Sequence, residues 1–298
     1  MPAYRRVLAI SVPAIIANSS APLVGLVDTW AVGHLPGAVH LAAVGLGSVV
    51  FNYIFWAFGF LRMGTTGLVA QAWGRDDLEG LTRVVLRSTT LAVLVGIALL
   101  LLGDWILALA LRAMAPPEGA ADLMAQYFHI RIWAAPATLF TYAVTGVMFG
   151  LGRTRAVLGL QVLLNVTNAL LNLLLVVGLH MGVPGVAWGT LIAQWLAAAL
   201  GIWLLRGVPG AEALPSLLAD RRSWRLSAFR PLVVLNGFIF VRTLFLMTAL
   251  ALVMRESAQL GSVEMAANHV ANQYMMLMAL GLDGFAHAAE AQIGRAHV

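Results

Sequence analysis

The amino-acid sequence predicts an all-α polytopic membrane protein, and three observations carry that expectation. Hydrophobic residues make up 61% of the 298 positions and charged residues only 10%. With a mean hydropathy of +0.88, this is too little charge to disperse a soluble domain of such size. The apolar residues gather into eight stretches, approximately 7–33, 41–73, 82–109, 120–150, 156–180, 184–206, 231–254 and 263–292. Each reaches the roughly 20 residues that a helix needs to cross the hydrocarbon of a bilayer. The arginines then divide unequally between the two sides. One set of loops and ends carries Arg5, Arg6, Arg75, Arg83, Arg87, Arg153, Arg155, Arg206, Arg221, Arg222, Arg225, Arg230 and Arg295, and the other only Arg112 and Arg255. Short arginine-rich loops stay cytoplasmic because fixed positive charge is translocated poorly. The bias therefore predicts a multi-pass protein of the inner, cytoplasmic membrane with its N-terminus inside.

The spans are helices because lipid offers no partner for backbone polar groups, and the alternating polarity of a closed barrel is missing. Several exceed the minimum length, which implies tilt or extension beyond the bilayer. The first contains Pro13, Pro22 and a single acidic residue, Asp28, about five residues from its outer end. The second contains Arg62, and the fourth Arg131 and Pro136. The fifth carries Asn165, Asn168 and Asn172, whose spacings of three and four put them on one helical face. The sixth carries Thr190, the seventh Arg242 and the eighth Asp283. Pro36-Gly37, Pro116-Pro117 and Gly182-Val183-Pro184 mark short connections, and the longest connection, about 207–230, separates six spans from two.

Other chemistries find little support. The net charge of +5 and the pI near 10.4 arise from short loops between apolar spans, so they report topology rather than nucleic-acid binding. Cysteine is absent, which excludes disulfides, thiolate metal sites and cysteine nucleophiles. The histidines lack metal-ligand spacing, and no phosphate-binding Gly-Lys-Ser/Thr loop occurs to couple ATP. No span pairs carboxylates at i, i+4 or sets Ser/His or His/Glu at catalytic spacing. The expectation is a protein that is not an enzyme and needs no cofactor. The first apolar run has no early cleavage site and continues as a full span.

A weak internal repeat bears on domain organisation. The second span begins Leu41-Ala42-Ala43 and ends Ala70-Gln71-Ala72-Trp73-Gly74-Arg75; the eighth begins Met265-Ala266-Ala267 and ends Ala289-Glu290-Ala291-Gln292-Ile293-Gly294-Arg295. Parallel repeats after six helices are common in transporters that hold substrate between two lobes. The expected divisions are 1–210 as a six-helix N-terminal lobe, 211–230 as a linker, and 231–298 as two helices of a C-terminal lobe.

Several motifs then occur in order. Pro13, Val24-Gly25-Leu26-Val27-Asp28-Thr29 and Val32-Gly33-His34-Leu35 resemble the first span of MATE-family multidrug exporters. Gly59-Phe60-Leu61-Arg62-Met63-Gly64-Thr65-Thr66-Gly67 with Ala70-Gln71, and Leu282-Asp283-Gly284-Phe285-Ala286 with Ala288-Ala289-Glu290-Ala291, resemble its DinF-like branch. The resemblance implies twelve helices in two six-helix lobes, exchange of protons or sodium for lipophilic, often cationic compounds, and alternating access by rocking of the lobes. This chain would supply the whole first lobe and the first two helices of the second. Its tail after Gln292 leaves the family pattern, so a truncation after the eighth helix is expected. The expected particle is a monomer in the lipid bilayer.

Asp28 is the leading candidate for ion coupling. A carboxylate in hydrocarbon costs about 2.5–3.5 kcal/mol on insertion scales, so it faces a cavity or a partner, and in such surroundings it can load and release a proton. An interfacial Asp wetted by solvent is the plain alternative. The resemblance implies a cation pocket made by Asp28 together with Asn168 and Asn172, and by Thr190, which would donate to Asp28 or accept from an Asn. Some relatives carry a second Asp where Asn172 stands, which leaves one carboxylate here and favours protons over sodium. The alternative for the asparagines is interhelical bonding that only holds the bundle together.

Arg62, Arg242 and Asp283 form a third group, twelve or thirteen residues from Arg75, Arg230 and Arg295 and hence at nearly one depth. The expectation is an Asp283 pair with Arg62 or Arg242, either a gate between lobes or a static ion pair that aids assembly. Met265, Met275, Met276 and Met278 suit a promiscuous cavity or ordinary packing. The function expected is proton-coupled multidrug export, with sodium as the other coupling ion. The alternatives are a flippase for lipid-linked saccharides from the same superfamily and an inactive fragment.

Overall fold

The computed structural model describes residues 3–33, 35, 37–220 and 224–260, and within 267–289 all but 269, 270, 273, 276, 277 and 280. His34, Met265, Met276 and the repeat's terminal segment from Glu290 onward lie outside the described residues. All regular structure among the described residues is helical: α1 (Ala3–Val32), α2 (Ala38–Ala57), α3 (Phe60–Gly74), α4 (Leu78–Leu101), α5 (Gly103–Met114), α6 (Ala120–Arg131), α7 (Ala135–Gly150), α8 (Thr154–Asn172), α9 (Gly182–Arg206), α10 (Leu214–Ala219) and α11 (Leu226–Leu260). Residues 281–289 are helical as well.

The apolar stretches expected from the sequence are helical where described, but four are not single rods. The second breaks at Phe58 and Gly59 into α2 and α3, and the third breaks at Leu102 into α4 and α5. The fourth tightens into a 3-10 turn, Ile132–Ala134, between α6 and α7. Pro136 stands at the start of α7; having no N–H to give the carbonyl four residues back, it breaks the α-helical ladder there. The fifth ends in a π-helical turn, Leu173–Gly178. Asp77 fixes the start of α4, its Oδ1 accepting from the Gly80 N–H at 2.7 Å, a normal N-cap.

Among the described residues, six segments are long and apolar enough to cross a membrane: Ala38–Gly74, Leu78–Leu101, Ala120–Gly150, Thr154–Gly178, Gly182–Arg206 and Leu232–Leu250. Within α1 the described apolar run is shorter, Val7–Ser20. The outer surface agrees with a lipid environment. Leu101, Trp105, Leu109, Phe238 and Phe245 are 78, 81, 69, 73 and 73% exposed, far more apolar surface than a water-soluble fold leaves bare. The chain is a multi-pass membrane protein.

Among the described residues, most buried apolar side chains gather into two clusters. The first joins Ala31 and Val32 of α1, Phe51 of α2, Phe128 of α6, Val176 of the π turn and Val183, Val186 and Ala187 of α9. The second joins Ala14 and Ala17 of α1, Val69 of α3, Phe149 of α7, Leu160 and Leu164 of α8 and Ala197 of α9. On α1, α8 and α9, which pack against one another, the stretch between the two clusters holds Asp28, Asn168, Asn172 and Thr190. All four are buried. A polar layer thus lies between two apolar ones.

Two close crossings join the later part of the chain to the earlier part. Gly64 of α3 meets Asn236 of α11: a Cβ on Gly64 would lie 2.0 Å from the Asn236 Oδ1. Gly284 meets α1, where a Cβ would lie 2.3 Å from Ile15 Cγ1 and 2.9 Å from the Ser11 carbonyl. The repeat that aligns Gly74-Arg75 with Gly294-Arg295 also aligns Gly64 with Gly284. Glycines that the repeat pairs therefore stand at the two crossings, one against α11 and one against α1. Phe240 of α11 adds ring contacts to Phe58 and Phe60 at 6.1 and 5.6 Å, and His287 stacks on Phe149 of α7 at 4.1 Å.

Candidate functional site

Asp28 lies almost a full helix length into α1 and is 2% exposed. Its carboxylate accepts from two amides one turn apart on α8: Asn172 Nδ2 reaches Oδ1 at 2.7 Å and Asn168 Nδ2 reaches the same oxygen at 3.2 Å. Asn168 Nδ2 also donates to Thr190 Oγ1 at 3.1 Å. Thr190 in turn donates to the Val186 carbonyl at 3.1 Å, which makes its oxygen an acceptor for the amide and fixes how that amide is turned. The chain closes with Asn172 Nδ2 donating to Asn168 Oδ1 at 3.4 Å. Both amino groups are thus directed at the carboxylate. One acceptor, Asn172 Oδ1, is buried with no partner. Gly189 on α9 makes the room for it, because a Cβ there would stand 2.7 Å from that oxygen.

The grouping of Asp28, Asn168, Asn172 and Thr190 expected from the sequence is therefore present as one hydrogen-bonded cluster. Asn165, on the same face by spacing, does something else. It accepts from Gln161 at 3.0 Å and donates to the Ser20 carbonyl of α1 at 2.9 Å, tying α8 to α1 outside the cluster.

Sequence reasoning passed over Arg131, which closes α6 beside this cluster. It is 9% exposed, and its Nη1 donates to the Tyr127 hydroxyl and, at 3.3 Å, to Ser48 Oγ. Ser48 and Tyr127 share a hydrogen bond of 3.0 Å. The guanidinium lies over the Phe51 and Tyr127 rings, 4.9 and 5.4 Å from their centroids, a cation–π cradle. No carboxylate approaches it within 4 Å among the described residues, yet it lies within electrostatic reach of Asp28. The site thus sets one carboxyl within electrostatic reach of one guanidinium that it does not touch. Tyr127 and Arg131 are four residues apart, a helical spacing that could have singled out the pair.

The third sequence group stays apart. Asp283 forms no ion pair within 4 Å with Arg62 or Arg242 among the described residues. Arg242 reaches Met63 of α3, its Nη2 lying 3.8 Å from Sδ. Arg62 keeps its Nε buried without a partner, and Asp283 is half-buried in the segment that crosses α1. These three residues flank the two glycine crossings but do not meet in this conformation.

Fold and site together define a polytopic helical membrane protein with a buried, amide-bound carboxyl at the meeting of three helices. Residues 13–174 match the MatE family, and the chain belongs to that family. Over 288 residues it is 35% identical to DNA damage-inducible protein F of Escherichia coli, covering 97% of this chain and 62% of that protein. It is 31% identical to the probable multidrug resistance protein NorM of Rhizobium meliloti, covering 99% of this chain and 63% of that one. A solved MOP superfamily transporter from Pyrococcus furiosus has the same fold, with a TM-score of 0.83 at 22% identity over 98% of this chain and 65% of the other. The chain thus spans under two thirds of the length of each of these proteins.

Proposed function

We propose that this chain works in proton-driven export of lipophilic or cationic small molecules, with Asp28 as the proton site. The carrying observation is the buried Asp28 carboxylate facing two amide N–H donors, Asn168 and Asn172, inside a layer sealed by apolar side chains on both sides. A proton needs only an oxygen lone pair and leaves the donor network in place. A hard cation takes several oxygen ligands, whereas both amides turn their nitrogens toward the carboxylate and, of the two amide oxygens, Asn172 Oδ1 alone has no partner. Arg131 would act as the fixed counter-charge. With Asp28 ionised the two groups balance; once Asp28 is protonated, the pocket keeps a net positive charge that disfavours a bound cation. Proton uptake and release of a cationic cargo are then coupled by electrostatics.

In this reading the chain forms a first lobe over 1–210 and part of a second over 231–298, joined by a linker at 211–230. The arginine-rich side and N-terminus face the cytoplasm, the membrane is the inner one, the particle is a monomer, and no chemistry beyond transport is performed. The family membership supports it, as does the naming of the Rhizobium meliloti relative for multidrug resistance.

The test is dye efflux from proteoliposomes containing the complete protein, driven by an imposed proton gradient or, separately, by a sodium gradient. Proton-driven efflux that Asp28→Asn abolishes is the expected result. Efflux driven by sodium alone, or a fully active Asp28→Asn, would sink the proposal.

A further inference from the structure

The arginine-rich end of the bundle holds a cavity separate from the Asp28 layer. Its volume is about 240 Å3, and Arg75, Asp77, Arg83 and Arg87 line it together with Leu68 of α3 and Leu232 of α11. Three arginines face one carboxylate. That carboxylate, Asp77, is engaged in capping α4. Arg83 is held by Glu79 one turn away. Arg75 and Arg87 have no carboxylate within 4 Å among the described residues, and the Nε of Arg87 is buried with no hydrogen-bond partner. Arg83 and Arg87 also stand at i, i+4, where like charges repel. Such an arrangement is electrostatically suited to an anion.

Size and position narrow the chemistry. The cavity is smaller than the roughly 300–1,000 Å3 of drug-sized sites, so it suits a headgroup rather than an exporter's cargo. Arg75 ends α3 and Asp77 caps α4, which sets the cavity at the level where spans leave the hydrocarbon, with leucines as its apolar wall. Guanidinium forks match phosphate oxygens in pairs, and basic pockets between helices on the cytoplasmic side take anionic headgroups. The geometry points to a phosphate-binding site, filled by the headgroup of an anionic phospholipid or by free phosphate. Because α3, α4 and α11 all contribute walls, a bound phosphate bridges the helices at the Gly64 crossing. This inference stands whether or not Asp28 carries the proton.

The experiment follows thermal unfolding of the full purified protein in detergent. Dioleoylphosphatidylglycerol, dioleoylphosphatidylcholine and inorganic phosphate are titrated separately into the parent, into Arg75→Gln/Arg87→Gln, and into Arg206→Gln as an arginine outside the cavity. Phosphatidylglycerol is expected to raise the unfolding temperature of the parent and of Arg206→Gln. The double variant should need more lipid for the same rise, by about fivefold for each arginine removed. Stabilisation by inorganic phosphate in place of the lipid, lost in the double variant, keeps the site and assigns it to a soluble anion. Equal responses to both lipids, or an undiminished phosphatidylglycerol response in the double variant, overturns the inference. If the double variant does not fold, Arg87→Lys decides: it keeps the charge and loses the fork, so a weakened lipid response supports the site and an unchanged one overturns it.

Discussion

A single methyl group should separate folding from transport at Gly189. In Gly189→Ala the new Cβ would stand 2.7 Å from Asn172 Oδ1, with Leu171 Cβ at an ordinary 3.5 Å on the other side. The oxygen contact is short by about 0.8 Å or more, and the Asn172 amide is the group free to yield. It can yield only by swinging away, which stretches the 2.7 Å bond from its Nδ2 to Asp28. A hydrogen bond to a charged group contributes about 1.5–3 kcal/mol, or about 10- to 100-fold in an equilibrium constant. Alanine meanwhile favours the helix over glycine by up to about 1 kcal/mol, so folding should be little changed. Thermal unfolding in detergent and proton-driven dye efflux in proteoliposomes, run on the same preparation, read the two effects. Gly159→Ala on α8 is the control, since a Cβ there meets nothing within 4 Å. Full efflux by a folded Gly189→Ala would refute the role given to the Asn172 amide.

Other perturbations sort the neighbouring groups. Arg131→Gln should leave a folded protein whose efflux is at least tenfold slower, read by the same dye assay, because the counter-charge is lost while a polar partner for Tyr127 stays. Asn165→Ala removes one interhelical hydrogen bond and should cost about 1 kcal/mol of stability, measured by thermal unfolding, with efflux retained. Asn236→Leu should stabilise this conformation by about 1 kcal/mol or more, since both polar atoms of that 3%-exposed amide are unpartnered; a lower unfolding temperature would contradict it. Gly284→Leu should prevent the close approach to Ile15 and abolish efflux in a protein that still inserts, checked by detergent gel filtration beside the transport assay.

The membrane class was legible because lipid imposes length and composition on every span, and six segments among the described residues meet that requirement. Breaks inside the spans were harder. Pro136 announces the 3-10 turn after Arg131, but the interruption at Phe58 and Gly59 lies within an unbroken apolar run. The π turn after Asn172 has no sequence signature at all, being a local choice of hydrogen-bond register. At the site, Asp28 declared itself as a lone acid in hydrocarbon, and the asparagine spacing gave the right helix face. That face nevertheless held two different jobs: Asn165 bonds to a backbone carbonyl while Asn168 and Asn172 bond to the carboxylate. Arg131 stayed hidden because its relation to Asp28 runs through space between α6 and α1, which no spacing along the chain encodes. The depth argument that joined Arg62, Arg242 and Asp283 placed them near one level, but depth says nothing of azimuth around the bundle.

The two glycine crossings set a mechanical ratio. Ile15 touches Gly284 at one crossing, and Asp28 sits thirteen residues farther along the same helix, a lever arm of about 20 Å. Each degree of rotation about the crossing carries the carboxyl sideways by about 0.3 Å while the fulcrum hardly moves. A swing of about ten degrees would therefore displace the Asp28 level by about 3 Å, enough to part a hydrogen bond, with the glycines still in contact. Small backbones at the pivot and a long arm to the carboxyl let a slight adjustment at one end of the bundle be felt as a large one at the other.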